Sequence, residues 1–266
     1  MDVFTARRKR NYGIRLNQEL QLNTDPFISV RNLSIGYGSR VVQRDLNFDI
    51  RKNDIFFIIG GSGCGKTTLL KHMIGLIAPS KGQVLYEGVN YYQASEDTQL
   101  KLLQSWGITY QSGALFSSMT LAENVALPLQ LYTDLSEKQI AETVAYKLSL
   151  VGLAGYETFY PSEISGGMHK RAGLARAIAL DPQLLFFDEP SAGLDPISSL
   201  RLDQLIVQIC KALGSTVIIV SHELPSILSI GTHSVILDAQ AALDSAEKVV
   251  KLMATELGKD EAWVEK

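Results

Sequence analysis

The sequence predicts an α/β fold in which a mainly parallel core sheet carries an antiparallel β subdomain and an α-helical subdomain. Three observations lead there. A glycine-rich stretch, Gly60-Gly61-Ser62-Gly63-Cys64-Gly65-Lys66-Thr67, joins the apolar run Ile55–Ile59 to a segment with helical spacing at Leu69, Leu70, Met73 and Ile74, the strand-to-helix setting of a phosphate loop. Two more apolar runs, Leu184–Phe187 and Thr216–Val220, are short, end in polar residues and alternate with helical segments, as buried parallel strands do. From Leu121 to about Leu180 the apolar spacing is helical with few strand signals, so a helical insertion interrupts the frame.

The residues before Phe27 lack periodicity and hold Arg7-Arg8-Lys9-Arg10, a cluster that suits either a solvated tail or anionic lipid headgroups. Phe27 to Leu33 and Leu46 to Ile50 read as antiparallel strands joined through Gly36-Tyr37-Gly38, which leaves Tyr37 in a loop. Gln83–Gly88 reads as a short strand and turn, and Gly107–Tyr110 as a core strand ending at Gln111. Ser136 to Gln139 forms an S-x-x-Q capping box, and Ile140, Val144, Leu148 and Val151 follow on one face. Ser165-Gly166-Gly167 opens a further helix with a small-residue face at Ala172, Ala175 and Ala179. Pro196 sits at a helix start and Gly214 suits its C-terminal cap. Asp244 to Leu257 reads as an amphipathic helix. The expected organisation is an N-terminal extension over 1–26, one domain over 27–238 with its helical subdomain at about 112–180, and a C-terminal helical extension over 239–266.

A chain of 266 residues with 46% hydrophobic content can bury a large core. Its net charge of −3 lacks the basic excess of a general nucleic-acid binder, so no nucleic-acid partner is expected. Cys64 and Cys210 stand far apart with no C-x-x-C, which argues against a disulfide framework or a zinc site and favours a reducing setting. No apolar segment of a secretory signal follows the first residues. The uncharged stretch Leu102–Ala122 is broken by Gln104, Ser105, Gln111, Ser112, Ser117 and Ser118 and would span a bilayer poorly. Membrane contact is therefore expected to come through a partner.

The phosphate loop predicts a nucleoside triphosphate as ligand. Its glycines let backbone N–H groups close around phosphate oxygens at a helix N-terminus; Lys66 would reach the β- and γ-phosphates and Thr67 would coordinate Mg²⁺. Asp188 follows a buried strand, where its carboxylate can hold Mg²⁺ through water, while Glu189 can polarise an attacking water. Adjacent carboxylates at a strand end can also serve as helix caps or loop groups; the phosphate loop is what favours the catalytic reading. His222, at the end of another core strand, can donate to the γ-phosphate, and Gln111 can orient water or complete the Mg²⁺ shell. A single histidine is more often structural, and its position carries the functional reading. Ser165-Gly166-Gly167 at a helix start is a second phosphate-binding sequence, so a nucleotide sandwiched between two copies of the chain is expected.

In combination these motifs resemble the nucleotide-binding subunit of an ABC transporter over essentially Phe27 to Leu237, and imply a P-loop NTPase of ABC type. The resemblance makes Gly60 to Thr67, with Thr68, the Walker A loop, Tyr37 the adenine-stacking aromatic and Gln111 the Q-loop. It makes Ser165 to Met168 the signature, Asp188 and Glu189 the Walker B pair, Ser191 to Asp195 the D-loop and His222 the switch histidine. Lys71–Leu76, the Met168 signature, Glu189–Pro196 and Ser221–Leu224 are most similar to the Mla-type ATPases of MCE lipid-transport systems. That resemblance implies ATP hydrolysis with Mg²⁺, a homodimer across two ATP sites, phospholipid cargo and an integral membrane permease. It also implies STAS-domain and MCE-domain partners and a peripheral position on the cytoplasmic face of the bacterial inner membrane. The alternatives are the ATPase of a glycine-betaine or peptide importer and, in another class, a non-transport ABC ATPase. The chain departs from the commonest pattern at Ile164 and Met168, at Cys64, where a thiol at a helix N-terminus invites reactivity, and at Asp238–Ala241, which lacks the usual glycine turn.

Overall fold

The computed structural model describes residues 26–38, 40–111 and 113–237. The basic cluster, the Asp244–Leu257 helix, the 239–266 extension and Ser112 lie outside them. The chain opens with β1 (Ile28–Tyr37) and β2 (Arg40–Ile50), then β3 (Ile55–Gly60) and α1 (Lys66–Met73). Next come β4 (Lys81–Tyr86), β5 (Val89–Asn90), α2 (Glu96–Gln104) and β6 (Trp106–Thr109). The insertion supplies α3 (Leu121–Tyr132), α4 (Glu137–Leu150) and α5 (Gly166–Ala177). The frame resumes with β7 (Leu184–Asp188), α6 (Pro196–Leu213), β8 (Thr216–Val220), α7 (Leu224–Ile230) and β9 (His233–Leu237).

Two sheets result. One is antiparallel, in the order β2-β1-β4-β5; the other has the order β6-β7-β8-β3-β9 and every neighbouring pair in it is parallel. The parallel strands are apolar on both faces, and their alternation divides the core in two. Phe57, Ile59, Leu185, Phe187, Val217 and Ile219 pack with the helical insertion and α6. Phe56, Ile58, Phe186, Ile218 and Val220 pack with Leu69, Leu70 and Met73 of α1 and with Ile28, Val30 and Ile35 of the antiparallel sheet. The phosphate-loop helix and the helical insertion thus rest on opposite faces of one sheet.

The local signals act as their chemistry predicts. Ser136 and Gln139 form the capping box of α4, Thr120 and Glu123 form another at α3, and Gly214 ends α6 at φ 65°. The strands of the first hairpin run further than their apolar alternation, and this corrects one expectation. Tyr37 is the last residue of β1, paired with Arg40, and not a loop residue. The outer half of β2 is partly exposed, so it carries little apolar signal, yet backbone pairing holds it. Close approach fixes Gly36 in this hairpin, since a Cβ there would sit 2.0 Å from the Arg40 carbonyl oxygen. Among the described residues no helix is long and apolar enough to cross a membrane.

Candidate active site

The phosphate loop leaves the carboxyl end of β3 and turns into α1 through glycines that no other residue could replace without strain. Gly60, Gly63 and Gly65 adopt φ of 159°, 78° and 105°. A Cβ at Gly60 would meet the Leu237 carbonyl oxygen at 2.5 Å, and one at Gly65 would meet Val42 at 2.7 Å. Lys66 opens α1 and turns its ammonium back across the loop, donating to the Gly60 and Gly61 carbonyls at 2.9 Å each. A cleft of about 470 Å³ lies over this loop, lined by Gly60 to Gly63, Gly65 to Thr68, Glu189 and His222. Cys64 is the exception. The residue is 8% exposed and packs in the core under the loop, so burial works against the reactivity that its helix-end position suggested.

The carboxylates arrive from β7. Asp188 accepts a hydrogen bond of 3.0 Å from the Thr67 hydroxyl. Burial pushes its pKa up, against the pull of that hydrogen bond, and the neighbouring Glu189 adds to the rise. Glu189 leaves the strand in the left-handed region at φ 49°, a conformation costing roughly 1–2 kcal/mol for a residue with a Cβ. Its N–H donates to the Val220 carbonyl of the next strand at 2.9 Å, and its carboxylate lies 3.1 Å from Nδ1 of His222. A smaller cleft of about 340 Å³ is lined by Thr67, Lys71, Tyr110, Gln111 and Asp188. Hydroxyl, carboxylate and amide oxygens around one opening suit a hard divalent cation that keeps waters and phosphate oxygens as its other ligands. Among the described residues no group of three or more His, Cys, Asp or Glu could hold a metal ion by itself. Tyr37, its ring half exposed, receives a long hydrogen bond of 3.4 Å from the Thr68 hydroxyl, which sets it beside the loop.

Two predicted groups stand apart from these clefts. Ser165 caps α5, accepting from the Met168 N–H at 3.3 Å, and Gly166 faces open space. Asp195 caps α6 through the N–H groups of Ile197 and Ser198, and its hydrogen bonds with Ser198 hold its carboxyl below the usual range. Neither lines either cleft of this chain.

A family described as ABC transporter matches residues 43–192. The chain belongs to the ABC transporter family. It is 43% identical over 216 residues, 81% of this chain and 82% of the relative, to the intermembrane phospholipid transport system ATP-binding protein MlaF of Haemophilus influenzae. It is 43% identical over 195 residues, 73% of this chain but 56% of the relative, to a probable ribonucleotide transport ATP-binding protein of Mycobacterium leprae. Among solved structures it resembles a dimeric ATP-binding cassette in a post-hydrolysis state bound to ADP and Pi. That likeness has a TM-score of 0.72 and 25% identity, covering 79% of this chain and 94% of that one.

As an ABC protein the chain binds and hydrolyses ATP. Two residues of this ABC ATPase carried no signal in the sequence. Lys170, on α5, donates to the backbone carbonyls of Glu189 and Ala192. Asn124, fully buried on α3, accepts from the Phe116 N–H at 2.8 Å and donates to the Phe116, Met119 and Thr120 carbonyls. Both act on backbone atoms, whose positions a residue-type pattern does not encode. The T-x-x-E capping box just before Asn124 was the legible hint that a helix starts there.

Proposed function

We propose that this chain is the ATP-hydrolysing subunit of a bacterial system that moves phospholipid between envelope membranes. The observation that carries the cargo is the likeness to the Haemophilus phospholipid-transport protein, which runs through most of both chains. The ribonucleotide-transport relative is matched over little more than half its length, and neither a glycine-betaine nor a peptide importer is favoured. The subunit acts as a homodimer docked on an integral permease at the cytoplasmic face of the inner membrane, with STAS-domain and MCE-domain proteins as further partners.

In this reading the loop N–H groups from Gly60 to Thr68 enclose the phosphates, Lys66 neutralises their charge and Tyr37 stacks on adenine. Thr67, Asp188 and Gln111 hold Mg²⁺, which supplies charge neutralisation at the transferring phosphoryl group. Glu189 polarises the attacking water, and His222, bonded to its carboxylate, keeps that group aimed and donates toward the γ-phosphate. Ser165, Gly166, Gly167 and Asp195 serve the nucleotide of the second copy.

The test is Glu189→Gln in the complex purified with its membrane partners and returned to vesicles carrying a fluorescent phospholipid. ATP binding is expected to persist while hydrolysis and lipid transfer fall together by about 100-fold or more, the scale of a lost general base. Near-normal hydrolysis by the variant would remove Glu189 from its role. Brisk hydrolysis by the wild-type complex without phospholipid movement would remove the cargo.

A further inference from the structure

We infer that Lys170 is a positioning residue for Glu189, holding the backbone of the catalytic carboxylate from the helix that also carries Ser165. The inference rests on the assignment of Glu189 as the water-polarising group. Ser165 caps α5, and Lys170 lies on the same helix one and a half turns further on. Its ammonium donates to the Ala192 carbonyl at 2.6 Å and to the Glu189 carbonyl at 3.4 Å. The Glu189 carbonyl also accepts from the Ala192 N–H at 3.2 Å, which closes the turn after β7.

Glu189 sits in the left-handed region, where a residue persists only if its surroundings over-determine it. The Val220 carbonyl fixes its N–H side; Lys170 and the Ala192 N–H fix its carbonyl side. Rotation of that backbone would swing the carboxylate away from His222, so the ammonium governs the carboxylate's aim without touching the reacting atoms. Lys170 is also an odd choice for stability alone. Burial depresses its pKa, and the acidic side chains that oppose this, Glu223 and Glu189, make no direct ion pair with it. A half-buried cation held on backbone carbonyls costs desolvation that a purely stabilising contact would not require. The same helix thus joins the exposed Ser165 end to the turn that orients this chain's own Glu189, and a nucleotide gripped at Ser165 would be felt at Glu189.

The test compares Lys170→Met, Lys170→Gln and Lys170→Arg in the full chain. For Lys170→Met, kcat is expected to fall roughly tenfold or more, short of the about 100-fold that a misplacement near 1 Å gives, with KM for ATP and the melting temperature little changed. Lys170→Arg should restore most of the rate, since its guanidinium reaches the same carbonyls. Lys170→Gln covers the case in which Met unfolds the chain, and should show the same loss of kcat at constant KM. In a Glu189→Gln background Lys170→Met should add no further loss, because the group it aims is gone. Unchanged kcat, equal loss in the Arg and Met variants, or a fall in kcat matched by weaker ATP binding or a lower melting temperature would each overturn the inference. If Glu189→Gln itself turned over normally, the role of Glu189 would fail first, and the two failures are told apart by that single variant.

Discussion

Asp188 shows how a functional residue works against the stability of its own fold. It lies at the end of a fully buried strand, with the Thr67 hydroxyl as its side-chain partner among the described residues, and burial raises its pKa. The folded chain therefore keeps a proton on Asp188 at pH values where the unfolded chain has lost it. Between the ordinary value near 3.8 and the raised one, the native state binds more protons, so stability falls as pH climbs through that window. Asp188→Asn, measured without nucleotide or metal ion, should melt above wild type near neutral pH, with the gap closing toward pH 4 and ATPase activity lost. A gap that holds or widens on acidification would mean that burial of the charge is not the cause. Residue types at the site were legible because phosphate chemistry demands them in order: Gly60 to Thr67, the carboxylate pair and His222 all converge. The short contacts that aim them were not, because the Val220, Ala192 and Glu189 carbonyls belong to every residue alike.

At the scale of elements, the segment after Gln111 belongs mechanically to the helical insertion. Gly113 packs against Gly173 and His169 of α5, Arg176 donates to the Ala114 carbonyl, and Asn124 grips Phe116 at both its N–H and its carbonyl. Leu115 packs on the core, as buried apolar side chains do, whereas Phe116 is 47% exposed with the Arg176 guanidinium 4.8 Å from its ring centroid. Of these two apolar residues, Phe116 is the one whose ring is exposed to a partner. Since Asn124 fixes the Phe116 backbone and not its ring, Phe116→Asp should fold, bind ATP in solution and leave the membrane fraction. Unfolding would mean that the ring is structural; retention on the membrane would place the permease contact elsewhere. The long helices were readable from their stripes and capping boxes. Helix α2 was not, because it buries none of its residues fully, Leu102 packing on the core while Leu100 and Leu103 stay exposed, and α7 was not, because it has only seven residues with Pro225 in its first turn.

For the whole molecule, the separation of Ser165 and Asp195 from the chain's own clefts carries the prediction of a composite site. Lys66→Ala and Ser165→Arg should each prevent the nucleotide sandwich. A mixture shown to contain heterodimers should hold ATP at the one interface that keeps both groups, and failure to do so would end the two-copy reading. The strand order has a different consequence, for the nascent chain. Strand β3 is flanked by β8 and β9, so the apolar run Ile55–Ile59 emerges from the ribosome well before either neighbour is synthesised. At about 5–20 residues per second that interval is on the order of ten seconds, during which a β-prone, uncharged segment has no partner of its own to pair with. The parallel core cannot close co-translationally until almost all of the described fold has been made. Productive synthesis should therefore depend on how well a chaperone shields that one strand, and slowing translation downstream of it should lower the yield of soluble protein.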